Sequence, residues 1–499
     1  MSLKKKSMKF TAGTLFSRFS GLLRESIITA TFGASQSLDA FLIAYRIPNL
    51  LRELIAEGAF GASFTKTYTS LYEDEPERAD RLLKNTLGWA VFLLMGICGL
   101  GIIFAPSLVS WMSYFQEDAE FHQKAVSLTR ILFPFIGLMT IGAVAGGVLH
   151  QKGVFFLTAV SPTLLNAGAV FGALVLAHQY KGGLEISGLA WGVLLGGFCQ
   201  MSLQVWAVRS RWTWGLPEWN DDVRAVLRLM GPMVIAGSAA QVNVVINTNF
   251  AMTLETGSVT WLNQAFRILQ LPVGLFAVAI GTVILPMLSR AKTSVQKYQY
   301  LQEGCESVLW LHLWCLVIIL YSAESIVDVL FGYGKFLSYD VSVTSSVLQC
   351  YAMSLPAYGL LKVLNAYYYA QNRTSWPMWV GLFSIGVNLL SNTWFVNHYG
   401  VYGLAISLAI VLSLNASLLI LGLYIGDCPR WNMKSLGLFA VLAALSIAGC
   451  SYVLEMASWS PFSHQKLNSL MNVMINALIA ICFFGISYGA QKWMLRNSR

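Results

Sequence analysis

Residues 38–60 read LDAFLIAYRIPNLLRELIAEGAF. Most of this stretch is apolar, and it has the length of a bilayer span, which needs roughly 20 largely apolar residues. It nevertheless carries Asp39, Arg46, Arg52, Glu53 and Glu57. A charge near the bilayer centre costs about 2.5–3.5 kcal/mol even on insertion scales. Five of them in one span must turn toward water or toward one another. At about 100° per residue, Asp39, Arg46, Glu53 and Glu57 fall on one stripe of a helix, while Arg52 points to a different neighbour. Pro48 sits within the stretch and loosens that phase.

Other apolar segments repeat the feature. The first contains Arg18, Arg24 and Glu25, with Arg18 and Glu25 on one face at i, i+7; later ones contain Arg267 and Lys362. These ten groups comprise six cations and four acids. They predict a solvated, charged cavity with a small cationic surplus. Arginine suits a phosphate there, because its planar fork stays ionised and donates two parallel hydrogen bonds. Internal ion pairs that hold helices together are the competing reading. Spacing alone does not separate an arginine that binds substrate from one held in a salt bridge.

The rest of the chain supports a membrane reading. Of 499 residues, 56% are hydrophobic and 11% charged, against about 25% charged in soluble proteins. Fourteen segments read as spans: 10–31, 36–65, 85–108, 125–151, 154–178, 185–208, 224–253, 258–289, 300–321, 341–370, 375–396, 400–426, 433–456 and 467–491. Lys and Arg concentrate in alternate connectors, which places both termini in the cytoplasm. The exceptions are Lys181, Lys335 and Lys466. The net charge of +9 is spread singly over short loops, which excludes a nucleic-acid surface. Arg18, Arg24 and Glu25 interrupt what would be the apolar core of a signal peptide, so the first helix is expected to be retained. The eight cysteines lie mostly in apolar runs and read as small buried hydrophobes.

A duplication runs through the chain. Ser37, Ala44, Arg46 and Ile47 recur as Ser258, Ala265, Arg267 and Ile268, and Gln151 and Asn166 recur near Gln371 and Asn388. The predicted fold is an all-α polytopic membrane protein of about 14 transmembrane helices, with two pseudo-symmetric six-helix lobes plus two C-terminal helices. Its domains are 1–215, 216–430 and 431–499. Transporters built from repeats bind their substrate where the repeats face each other. Catalytic and metal signatures are missing: there is no H-E-x-x-H, P-loop or G-x-S-x-G, and the six histidines are scattered. No catalytic residue, metal or cofactor is expected, and the chain reads as a transporter rather than an enzyme.

The words TLFSRFSGLLRE (14–25), FGASQSLDAFLIAYRIPNLLRELIAEGAF (32–60), SPTLLNAG (161–168), SVTWLNQAFRILQLPVGLFAVAIGTVILP (258–286) and FGYGKF (331–336) resemble the MurJ (MviN) lipid II flippase family. The resemblance covers essentially the whole chain. It implies the fold of the multidrug/oligosaccharidyl-lipid/polysaccharide (MOP) exporter superfamily. It implies a substrate, lipid II, an undecaprenyl diphosphate bearing a disaccharide–pentapeptide. This would move from the inner to the outer leaflet of the bacterial cytoplasmic (inner) membrane by alternating access. The implied partners are lipid II, membrane lipid and the cell-wall synthesis machinery. By motif, the family's diphosphate-binding arginines fall on Arg18, Arg24, Arg52 and Arg267, and its acids on Asp39 and Glu57, which are candidates for ion coupling. Arg46, Glu53 and Lys362 are secondary candidates. The last two helices would supply a groove for the lipid tail. Glu53, Gln270 and Lys66 depart from the family's usual residues, which puts a specific partner of Arg267 in doubt.

Membrane potential or a monovalent ion, sodium or proton, is the candidate driving force. Two other functions fit the cavity chemistry: a flippase for another undecaprenyl-diphosphate-linked glycan, and a membrane glycosyltransferase acting on the same lipid. The second would need catalytic carboxylates in a large outer loop, and the outer loops here are short.

Overall fold

The computed structural model describes residues 3–114, 116, 118–212, 215–426, 433–456 and 465–497; the side chains of 3–12, 55–58, 235–236, 239–240, 426, 433–436, 455–456, 465 and 495–497 lie outside that description. The described residues are helical almost throughout and contain no strand. A helix stands at each of the fourteen expected segments. In order they are α1 (Leu3–Phe32), α2 (Gln36–Leu51, running on through Arg52–Phe60 and Gly61–Asp74), α3 (Pro76–Ile103), α4 (Ala119–Gln151), α5 (Phe155–Gln179), α6 (Ile186–Val208) and α7 (Asp221–Ala251). Then come α8 (Ser258–Arg290), α9 (Ser294–Phe331), α10 (Ser338–Ala352 and Leu355–Ala370), α11 (Ser375–Tyr399), α12 (Val401–Gly426), α13 (Met433–Met456) and α14 (Gln465–Asn497).

Among the described residues, ten helices are long and apolar enough to cross a bilayer, and the two halves of α10, bent by 44°, make an eleventh if they form one span. The other three are α1, α2 and α7. Helices α1 and α7 have 30 and 31 residues, and at 1.5 Å per residue either exceeds a bilayer's hydrocarbon thickness. Charge sets α1 and α2 apart, whereas the charges of α7 lie in its first two turns and residues 229–251 carry none.

Helices α2 and α8 share an irregularity. Each passes into a π-helical turn, at Arg52–Phe60 and at Val273–Ala277. The two turns begin at positions related by the repeat offset seen in Ser37/Ser258 and Arg46/Arg267. Pro48 and Pro272 lie just upstream. A proline offers no N–H to the carbonyl four residues back, so the ladder re-registers there. The side chains beyond it rotate relative to those before it, which changes the simple 100° phase assumed for Asp39, Arg46, Glu53 and Glu57.

The chain forms two compact units: Met1–Thr260 with Tyr333–Phe336, and Trp261–Gly332 with Leu337–Arg499. The packing division therefore falls after α7, one helix beyond the repeat boundary expected near 215. The reason lies in α7, which packs on the π turn of α2, on Gly61–Asp74 and on α3. Helices α13 and α14 pack on α9 and belong to the second unit.

In the first unit, glycines let α5 and α6 approach backbone to backbone. A Cβ on Gly172 would sit 2.5 Å from the Gly188 carbonyl oxygen, and one on Gly168 would strike the Gly196 backbone. Lipid tails are as apolar as leucine, so close van der Waals contact at small residues is what joins such helices. In the second unit, Trp310, Val317, Ala443, Cys450, Ala480 and Phe484 form the apolar centre between α9, α13 and α14. Polar contacts flank it. Asp328 pairs with Lys466 and accepts from the Ser469 hydroxyl at 3.1 Å, Asn476 donates to Ser322 at 2.7 Å, and Trp310 Nε1 donates to Gln491 at 2.7 Å.

Candidate functional site

The charges of α2 are met in turn along α7 and the residues that follow it. Asp39, 4% exposed, accepts from the N–H of Gly257 (2.7 Å), the N–H of Thr260 (2.9 Å) and the Thr260 hydroxyl (2.6 Å). The first N–H groups of a helix have no partner within it, and a carboxylate there also meets the positive end of the helix dipole. Asp39 thus caps α8 from another helix. One stretch further on, Arg46 donates to the hydroxyl of Thr248. Beyond that, Glu53 accepts from Gln241 at 3.4 Å and from Asn49 at 2.9 Å. As α2 advances through 39, 46 and 53, its partners retreat through 257–260, 248 and 241. The two segments therefore run antiparallel, joined by polar contacts.

Arg52 turns away from this row. Its Nε donates to Asn49 Oδ1 at 3.1 Å, its guanidinium lies 5.9 Å from the ring centroid of Phe135 on α4, and Nη2 stands 3.7 Å from Glu53. Tyr45, between Phe41 and Phe135, continues the aromatic lining with centroid distances of 5.9 and 5.8 Å.

Helix α1 carries the second cluster. The Arg24 and Glu25 side chains are 12% and 6% exposed and pair with each other. Arg24 Nη1 also donates to Asn166 Oδ1 at 3.0 Å, and Asn166 is held in place by donating to Ser20 Oγ at 2.8 Å and to the Ser17 carbonyl at 3.3 Å. Arg24 Nε is buried and meets no acceptor among the described residues. A buried guanidinium with unused donor capacity can accept an anion. Arg18 and Glu25 share a helical face by spacing but differ in environment: Arg18 is exposed, beside the exposed Leu15 and Phe19, and Glu25 is buried.

Of the remaining predicted residues, Arg267 and Lys362 lie in the second unit. Arg267 is half-buried, and Lys362 is exposed with its ammonium 5.7 Å from the Tyr358 ring centroid. Gln270 and Lys66 are exposed. The Glu57 side chain lies outside the described residues. No group of three metal-ligating side chains occurs among the described residues.

Sequence reasoning missed the neutral partners. Asn49, Gln241, Thr248 and Thr260 complete these clusters and could have been marked only by polarity within an apolar run, whereas Asn166 stood out in the repeat without showing that it meets Arg24. It also passed over Glu306 on α9, whose carboxylate accepts from Gln302 at 2.7 Å and from Gln491 at 3.1 Å.

Known proteins share this architecture. A solved structure titled lipid II flippase MurJ, in an inward closed conformation, superposes with a TM-score of 0.81 over 96% of this chain and 99% of its own, at 23% identity. An inward-facing multidrug resistance MATE transporter of the MOP superfamily superposes at 0.65 over 90% of this chain and 96% of its own, at 15% identity. At these identities the likeness is one of fold. The sequence carries the relationship further. The lipid II flippase MurJ of Burkholderia cenocepacia is 32% identical over 99% of this chain and 98% of its own length. The probable lipid II flippase MurJ of Haemophilus influenzae is 32% identical over 97% and 98%. The family model described as lipid II flippase MurJ matches residues 28–470, a span that takes in the α2 charges, Asn166 and Arg267 together, and the chain belongs to the MurJ family.

Proposed function

We propose that this protein moves lipid II from the inner to the outer leaflet of the cytoplasmic membrane by alternating access. The observation that carries the reading is the 32% identity, over 99% of the chain, to a lipid II flippase. All fourteen helices cross the membrane in this account, both termini are cytoplasmic, and the cell-wall synthesis machinery receives the flipped lipid on the outer side.

The arginines supply the cationic part of the site. Arg24 meets the diphosphate through its unused Nε donor, while Glu25 and Asn166 hold the guanidinium in place. Arg18 is open to an incoming headgroup. Arg52, fixed by Asn49 and Phe135, orients this wall of the site, and Arg267 is the remaining arginine assigned to the diphosphate. Asp39 already accepts from three donors, which favours a capping role. Membrane potential or a monovalent ion drives the cycle, with Glu57 the carboxylate offered for coupling.

The test is growth. A bacterium depleted of its own lipid II flippase and supplied with this chain should divide and keep its shape. Lysis despite confirmed membrane insertion would overturn the proposal.

A further inference from the structure

A cleft of about 450 Å³ opens in the first unit among the ends of α1, α2, α5 and α6, with Thr31, Ser35, Ser37, His178, Glu185 and Lys335 on its walls. Lys335 is remote in sequence from the others and is welded to this unit by backbone. Its N–H donates to the Ala30 carbonyl at 2.8 Å. Gly33 and Gly334 flank the junction with φ of 68° and 60°, a region that side chains other than glycine rarely adopt. A Cβ on Gly33 would sit 2.6 Å from the Lys335 carbonyl oxygen, and one on Gly334 would strike Ala30. The position of Lys335 on the cleft is therefore built in.

The charges around the cleft divide into two kinds. Lys124 is satisfied: it donates to Ser37 Oγ at 3.2 Å and stands 3.7 Å from Glu120. Asp118 is satisfied by the N–H groups of Glu120 and Phe121 and by Gln36, and these hydrogen bonds, that from Phe121 foremost, hold its carboxyl below the usual range. Lys335 and Glu185 are different. Neither has an ion-pair partner among the described residues, nor do they pair with each other, although both line the same cleft. Opposite charges that share a cavity without meeting are complementary to an occupant that carries both signs.

We propose that this cleft binds a short zwitterionic peptide, with Lys335 receiving a carboxylate and Glu185 an ammonium. This rests on the lipid II reading, and it assigns the cleft to the peptide stem of the precursor. The volume lies within the range of small-ligand sites. Two observations favour a peptide over a zwitterionic lipid headgroup. The unpaired charges sit on connectors outside the apolar helices, and hydroxyls of Thr31, Ser35 and Ser37 surround them. Peptide amides can use such hydroxyls.

The test uses the purified full-length protein in detergent and a free pentapeptide bearing one lysine ammonium and free carboxylates, with binding measured by thermophoresis. Saturable binding is expected. Lys335→Glu and Glu185→Lys should each weaken it about tenfold, the size of one lost charge-assisted contact. The double swap should recover most of that loss. A peptide acetylated on its lysine and at its N-terminus should bind the wild type weakly, and Glu185→Lys should not weaken it further. Unchanged melting temperatures would establish that both variants fold. Absence of saturable binding, binding by either single variant as tight as the wild type's, or equally tight binding of glycerophosphoethanolamine would overturn the assignment. Rescue of a flippase-depleted bacterium by the wild-type chain reports separately on the proposed function. Rescue without peptide binding removes only this inference, and charge-dependent peptide binding without rescue removes the lipid II reading and the stem assignment while leaving the peptide site.

Discussion

Asp39 and Thr260 occupy equivalent positions of the internal repeat, 221 residues apart, and they bond to each other: the carboxylate accepts from both the backbone N–H and the hydroxyl of Thr260. One copy of the repeat has kept an acceptor and the other a donor. The first turn of α8 thereby gains a cap that its own sequence does not provide.

Replacing Asp39 by Ala would leave the N–H of Gly257 and both donors of Thr260 unmet. Loss of a buried acceptor costs about 1–3 kcal/mol, so the melting temperature in detergent should fall clearly. Asp39→Asn, which keeps one carbonyl oxygen, should fall less. A melting temperature unchanged by Asp39→Ala would show that the cap contributes nothing.

Arg24→Ala removes one member of a buried ion pair, and breaking such a pair costs about 3–5 kcal/mol. Reduced abundance is the expected outcome, together with lost rescue. Arg24→Lys preserves the charge but lacks the fork needed to hold Asn166 and an anion at once. It should insert at normal abundance and still fail to support growth. Full growth with Arg24→Lys as the sole copy would remove Arg24 from the diphosphate site.

Where α5 and α6 touch through glycines, side chains have no room. Gly172→Leu should destabilise the first unit by at least the 1–3 kcal/mol typical of overpacking, read as lower abundance and a lower melting temperature. Gly96 on α3, which has no neighbouring atom within 4 Å of an added Cβ, is the matched control and should tolerate Leu. Equal behaviour of the two would contradict the packing described here.

The ladder between α2 and α7 can be measured as a coupling. In a double-mutant cycle, Arg46→Leu and Thr248→Val should be non-additive by roughly 0.6 kcal/mol, the average for hydrogen bonds between membrane helices. Strict additivity would mean that this contact is dispensable.

The helices were legible because apolar runs and alternating loop charge are direct consequences of the bilayer. The charges of residues 38–60 were legible because they are costly there. Less could be seen of how they are satisfied. Asn166 reaches Arg24 across 142 residues, a pairing that no local pattern encodes. The π turn at Arg52–Phe60 also escaped, although Pro48 announces trouble in the ladder, because a proline does not say by how much the next turn re-registers. The packing boundary after α7 could not be read from a repeat that ends one helix earlier, since it depends on which neighbours α7 finds.

The most direct test of the account is the amount of lipid II exposed on the outer leaflet of cells whose only flippase is this chain, compared with cells bearing Arg24→Lys at equal membrane abundance. Exposure should be normal with the wild type and collapse to the level of depleted cells with the variant. Lipid II that stays on the inner leaflet with the wild type, or reaches the outer leaflet equally with both, would contradict it.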